Sequence, residues 1–287
     1  MALKDLLVHV DQSSHAGNRL RLAADLARRH QSRLTALFVR EMNPAQRHNQ
    51  SVSEIGLGSS SAITHTNRTI AQSIDKSAEQ LRSALEEIGR ADGLEVEWRC
   101  LKGEAPALVP QHARFADLCI LCQDTSAVAL ATGYTFSEQL LFVTGRPVIF
   151  VPANGSYGTL GRHILVAWNS SRASTRAVND ALPLIERADK VTLLAINPAE
   201  FAERYGALPP EQMVEHLKRH GASVVGSWVN GIPQESIADV VLAEAHKVGA
   251  DLIVAGAFGH PRLWEKIMGG VTRDLLARMN VPVLMSY

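Results

Sequence analysis

The stretch that decides the fold runs from Ile164 to Asn197, "ILVAWNSSRASTRAVNDALPLIERADKVTLLAIN". It opens on a short apolar run and breaks at Asn169-Ser170-Ser171. Apolar residues then recur at helical spacing, and a second apolar run closes it. That pattern reads strand, turn, amphipathic helix, strand. The same pattern stands near the start of the chain, at Leu6–Val39, "LLVHVDQSSHAGNRLRLAADLARRHQSRLTALFV". Asp11 aligns with Asn169, and Ser13 or Ser14 with Ser171. Further landmarks repeat in the same order: "LKGEAPALV" with "VNGIPQESI", "ADLCILCQ" with "ADLIVAGA", and "FSEQLLFVTGRPVIFVP" with "VTRDLLARMNVPVLMSY". Self-similarity at this period marks a duplicated unit of about 140 to 150 residues. The expected domains are residues 1–153 and 160–287. The join falls in "PANGSYGTLGR", Pro152 to Arg162, which is rich in turn formers.

Each copy predicts five strands separated by helices. The strands are Leu6–Val10, Leu34–Val39, Val96–Leu101, Leu118–Cys122 and Val148–Val151 in the first copy. In the second they are Ile164–Trp168, Val191–Ile196, Val224–Val229, Leu252–Gly256 and Val283–Met285. Such alternation argues for an α/β fold of two tandem, doubly wound, parallel five-stranded sheets with helices on both faces. In such sheets ligands bind beyond the carboxyl ends of the strands, where the strand order reverses. A polar segment between Glu41 and Thr69 contains a Gly-Ser tract and reads as a surface loop preceding a helix over Ile70–Ile88.

The bulk numbers exclude several classes. The chain has 287 residues, 46% hydrophobic and 20% charged, with a formal net charge of zero. Neutrality gives no electrostatic reason for a nucleic acid or an anionic membrane as partner. The N-terminus is too charged for a signal peptide, and no apolar run nears the roughly 18 residues of a membrane helix. The expected compartment is the cytoplasm. Cys119 and Cys122 form a C-x-x-C, but on a strand residues three apart face opposite sides. They read as core cysteines, not a redox pair.

The chemistry concentrates in "VAGAFGHPRLWEKIMGGVTRDLL", Val254 to Leu276. Gly256 and Gly259 follow the apolar run Leu252–Ala255. Gly269 and Gly270 precede a helix starting near Val271. A helix start offers free N–H groups and partial positive charge, and glycines let a backbone approach a phosphate closely. Thr272 can add a hydroxyl. By spacing alone, the glycines fit either a phosphate cradle or plain turn-making. The P-loop G-x-x-x-x-G-K-[ST] and the dinucleotide G-x-G-x-x-G are absent.

The spacing G-x2-G-x9-G, on the last strand–helix turn of a compact α/β unit, resembles the universal stress protein family. So do "ILVAWNSSRASTRAV", "VNGIPQESI" and the closing "VPVLMSY". The resemblance covers the whole chain as two tandem copies. It implies an adenine nucleotide alpha hydrolase-like fold, with dimer-like pairing through the last strands made within one chain; a homodimer beyond that is left open. It implies that ATP or AMP lies across the strand ends. Gly256, Gly259, Gly269, Gly270 and Val271 would form the phosphate and ribose turn. Ile196 would wall the adenine pocket, with Ala255 beneath it and Asn169 near the nucleotide. Two departures stand out. Gly270 replaces the family's usual serine or threonine, and Asn169 its usual acidic residue, which removes a carboxylate that could face Mg²⁺. In the first copy, Cys122 replaces Gly256 and Thr125 replaces Gly259, so that copy is not expected to bind nucleotide.

Nothing in the sequence assembles a catalyst. His260 in the glycine turn reads as an exposed turn residue. His216 and His220 are four apart on a helix but lack a third ligand at suggestive spacing. Ser170 and Ser171 lack the G-x-S-x-G of a nucleophile elbow. The reading is a cytoplasmic stress-response regulator binding AMP or ATP in its second domain. A slow ATPase and a nucleotide-free scaffold for small ligands or proteins are the alternatives.

Overall fold

A computed structural model describes residues 2–41, 61–123, 135–155, 157–206, 208–233, 236–257 and 270–287. The strands in chain order are β1 (Asp5–Val10), β2 (Arg33–Arg40), β3 (Val96–Lys102), β4 (Leu118–Cys122), β5 (Val148–Val151), β6 (His163–Trp168), β7 (Lys190–Ile196), β8 (Val224–Val229), β9 (Leu252–Gly256) and β10 (Val283–Ser286). The helices are α1 (Ala16–His30), α2 (Ser61–Asp92), α3 (Ala105–Ala113), α4 (Phe136–Val143), α5 (Arg172–Ile185), α6 (Pro198–Tyr205), α7 (Glu211–Arg219), α8 (Ile237–Val248) and α9 (Gly270–Arg278).

One correction concerns the polar segment. Helix α2 begins at Ser61, so its residues 61–69 are helix where a loop was expected. Once a helix has nucleated, each added residue gains one hydrogen bond for one residue fixed, whereas the first turn fixes several for one. Thr66, Asn67 and Thr69 are weak helix formers, yet the longer helix absorbs them. Residues 42–60 lie outside the described residues.

The ten strands form one sheet in the order β3-β2-β1-β4-β5-β10-β9-β6-β7-β8. Within each set of five, neighbours run parallel; β5 and β10 meet antiparallel. Ile149 lies opposite Leu284, with Val148 against Met285 and Phe150 against Val283. Ile149 and Leu284 are aligned positions of the repeat, so a pseudo-twofold axis passes between them. All six residues are fully buried, and burying each large apolar side chain stabilises by roughly 1.5–3 kcal/mol. The seam is therefore core, not a domain surface.

Helices cover both faces. Leu20 of α1, Ile74 of α2, Val178 of α5 and Leu217 of α7 belong to the apolar cluster on one face. Val109 of α3, Leu140 of α4, Val241 of α8 and Leu275 of α9 belong to the other. The alternation along each strand feeds both clusters, as a doubly covered sheet requires. The halves also repack around bulky residues. Trp98 on β3 packs against Phe38 at 5.9 Å between ring centres. Its aligned position on β8 is Gly226, where an added Cβ would lie 2.6 Å from the Trp228 ring. Trp228, aligned with Cys100, thus folds over the space that Trp98 fills in the first half.

The C-x-x-C lies on β4, with Cys119 buried and no disulfide formed. Burial pushes the Cys119 thiol up to about 12, which holds it protonated.

Candidate functional site

In the second half the strand order reverses between β6 and β9, and the crevice beyond their carboxyl ends is where such a sheet binds ligands. Register fixes what meets there. Ala167 lies opposite Ala255, and Trp168 lies opposite Ala195. Trp168 is thus level with Gly256, and Asn169 stands just past them. Neighbouring strands are about 4.8 Å apart, so Asn169, Ile196, Ala255 and Gly256 come together on adjacent strand ends. Gly270, Val271 and Thr272 form the start of α9. Gly259 and Gly269, and also His260, lie outside the described residues.

The side chains have specific partners. Asn169 Oδ1 accepts the Ser171 N–H at 3.1 Å, and Ser171 caps α5 by accepting the Ser174 N–H. This Asx turn holds Ser170 at φ +57°. Ile196 and Ala255 are buried in the apolar cluster beneath the crevice. Thr272, expected to face a phosphate, is buried and not without a partner in the protein. Gly270 is exposed, with nothing among the described residues within 4 Å of where a Cβ would sit. The first turn of α9 carries no acidic residue of its own.

Gly256 has a structural reason of its own. A Cβ there would lie 2.4 Å from the Ala173 carbonyl carbon and 2.4 Å from the Ser174 nitrogen, both backbone atoms of α5. The glycine lets α5 press directly on the end of β9. In the first half the aligned residue is Cys122. There α1 begins only at Ala16, which aligns with Ser174, two residues into α5.

Sequence reading missed Asn197. It follows β7, is buried and holds φ +49°. Its Nδ2 donates to the Ile232 carbonyl at 2.7 Å, and its Oδ1 accepts the Ile232 N–H at 3.1 Å. The amide so ties the end of β7 to the loop after β8. The signal was Asn-Pro at 197–198, a pair that initiates turns.

The first half is built differently at the same place. Arg19, wholly buried, donates through Nε to the His9 carbonyl at 2.9 Å and sets Nη2 3.0 Å from Asp11 Oδ2. Asp11 Oδ1 accepts both the N–H and the hydroxyl of Ser13. Burial raises the Asp11 carboxyl, but Arg19, the Ser13 bonds and His9 together outweigh it and the net shift is downward. The Asp11 carboxylate is thus occupied inside the protein. The aligned residues of the second half are Ala177 for Arg19 and Ala167 for His9, which leaves that crevice without such a plug.

The comparisons with known proteins bear on this architecture. The universal stress protein family model matches residues 161–286. Residues 161–286 belong to the universal stress protein family. Universal stress protein MJ0577 of Methanocaldococcus jannaschii is 34% identical over 74 residues, 26% of this chain and 43% of that relative. The chain therefore spans less than half the length of that relative. A universal stress protein structure from Archaeoglobus fulgidus matches with a TM-score of 0.67 at 17% identity, over 98% of this chain and 95% of its own. The functionally unknown protein PA1789 from Pseudomonas aeruginosa gives 0.59 at 14%, over 99% and 92%. At such identities the likeness shows the α/β fold of the universal stress proteins. No described helix is long and apolar enough to cross a membrane. Among the described residues no three His, Cys, Asp or Glu groups converge as a metal site. His216 and His220 meet edge to face at 4.7 Å, and His220 Nδ1 lies 3.6 Å from Glu186 Oε1.

Proposed function

We propose that the chain is a cytoplasmic stress-response regulator that binds an adenine nucleotide, AMP or ATP, in its second domain, residues 160–287. The first domain, residues 1–153, does not bind it. The observation that carries this reading is the strained backbone at Ser170 and Asn197, both left-handed, on the ends of neighbouring strands beside the reversal point. Non-glycine residues held in that region cost about 1–3 kcal/mol each and gather at ligand sites. The aligned residues Gln12 and Arg40 have no positive φ. The nucleotide would lie over Asn169, Ile196 and Ala255. Its phosphates would meet the N-terminal end of α9 at Gly270 and Val271, together with Gly259 and Gly269. Asn169 offers an amide and no carboxylate to Mg²⁺, so binding should depend little on the metal.

Titration calorimetry of AMP and ATP into the full chain, with and without Mg²⁺, tests the proposal. Saturation at one site per chain supports it. Phosphate release in proportion to protein would move the assignment to a slow ATPase. Absence of heat with both nucleotides would leave the scaffold reading.

Gly270 gives a sharper test, because no described residue crowds its Cβ position. Gly270→Glu places a carboxylate in the first turn of α9, which stabilises a helix by about 0.3–1 kcal/mol. The melting temperature should hold or rise while ATP affinity falls at least about tenfold, the factor corresponding to ~1.4 kcal/mol. Unchanged affinity would mean that the phosphates lie elsewhere.

A further inference from the structure

The helix that would receive the phosphates is held by the other half of the chain. Arg273, in the first turn of α9, donates through Nε to Glu138 Oε1 at 2.9 Å. Glu138, on α4 of the first half, is only 2% exposed. Its other oxygen accepts the N–H and the hydroxyl of Thr135, closing the capping box that starts α4. At the far end of α9, Gln123 Nε2 donates to the carbonyls of Leu276 at 2.7 Å and Ala277 at 3.1 Å. Its Oε1 accepts the Ala153 N–H at 3.0 Å. Gln123 follows β4, at the position where the first half aligns with Ala257.

These contacts break the repeat's symmetry. Glu138 and Arg273 are aligned positions, brought together across the same axis that runs between Ile149 and Leu284. Two identical halves would set like charges against each other there. Duplication within one chain has allowed opposite charges. The clasp is also one-sided, because Ala257 has no side-chain group with which to grip α4 as Gln123 grips α9. Arg273 by itself opposes the helix dipole. The buried Glu138 offsets that charge from outside the helix.

We propose that Glu138 and Gln123 are positioning residues: the first half serves as a tethered partner subunit that fixes α9 and thereby sets the phosphate end of the second-half site. The effect on ligand affinity rests on the nucleotide reading above; the clasp itself does not.

The test uses the full chain and the variants Glu138→Gln, Gln123→Ala and Arg273→Gln. Glutamine at 138 retains the capping box, and Arg273 is half-exposed, so each variant is expected to fold. Amide hydrogen exchange of residues 271–277, without ligand, should accelerate about tenfold in each, as expected for loss of a charge-assisted or doubly shared bond. Unchanged exchange overturns the proposal, whether or not the wild type binds nucleotide. Titration with ATP and with adenosine then separates the roles. If Glu138 acted only through its charge, its removal would strengthen ATP binding. Positioning requires the opposite: ATP weakens about tenfold in Glu138→Gln and Gln123→Ala, while adenosine shifts less than about twofold. A parallel fall of both ligands, or stronger ATP binding, also overturns it. Failure of the wild type to bind either ligand would count against the nucleotide reading alone, and exchange would still decide the clasp.

Discussion

Gly256→Ala is expected to cost about 3 kcal/mol of stability, at the upper end of what overpacking a close contact costs. The added methyl would lie 2.4 Å from two backbone atoms of α5. Backbone cannot rotate away as a flexible side chain can. Either α5 lifts from the sheet or the end of β9 moves. Both disturb Asn169 and the cap at Ser171, so nucleotide affinity should fall together with stability. For a chain of this size the loss corresponds to a fall in melting temperature of about 6–12 °C. Urea unfolding of Gly256→Ala beside Gly270→Ala checks it. The second variant has no described residue crowding its Cβ and should be neutral or slightly stabilising, since alanine is the better helix former. Equal effects from the two would show that the close approach of α5 is not what Gly256 provides.

The second large effect is acid lability between pH 6.5 and about 4. Burial foremost, with Arg19 adding to it against the opposing pull of Asp11, lowers the His9 imidazole to about 4. Burial, then Arg187 and Arg29, lowers His30 to about 4. His30 Nε2 is buried with no hydrogen-bond partner among the described residues, and around it Arg187 donates to the Arg29 carbonyl while Arg29 donates to the Leu160 carbonyl. Both histidines are neutral in the folded chain over a range in which the unfolded chain protonates. The unfolded state then binds more protons, and stability falls as the pH falls. The contribution is complete above pH 6.5 and lost progressively toward pH 4, up to about 3 kcal/mol for each histidine. Asp11 adds a further loss below its ordinary value near 3.8, because its folded carboxyl is lowered. Denaturant titrations at half-unit steps from pH 7.5 to 4 would show the slope, and His9→Asn with His30→Gln should flatten it. A slope unaltered in that double variant would assign the acid loss to other groups.

Much of this molecule was legible in its sequence. The repeat fixed the alternation of strands and helices, because each apolar run between turn formers can bury itself only as a strand covered on both faces. The strand ends at Cys122, Val151, Val229 and Gly256 fell where the apolar runs stop. The resemblance implied Asn169, Ile196 and Gly256 as site residues, and the strand register places them on adjacent strand ends. What escaped depends on contacts between segments far apart in the chain. Gly256 looked like a phosphate-turn glycine, and only the packed structure shows α5 backbone against it. Thr272 looked like a free hydroxyl, but the helical turn directs it inward. Asn197 was missed, because its partner Ile232 is 35 positions away. Sequence reading also gave no role to Glu138 or Arg273, which lie 135 positions apart. Local sequence determines which residues form strands, helices and turns, since propensity, periodicity and capping act over a few residues. The antiparallel pairing of β5 with β10 decided the rest: it creates the axis that brings Glu138 to Arg273 and Gln123 to the end of α9, and no short-range pattern encodes a contact across 135 or 153 residues.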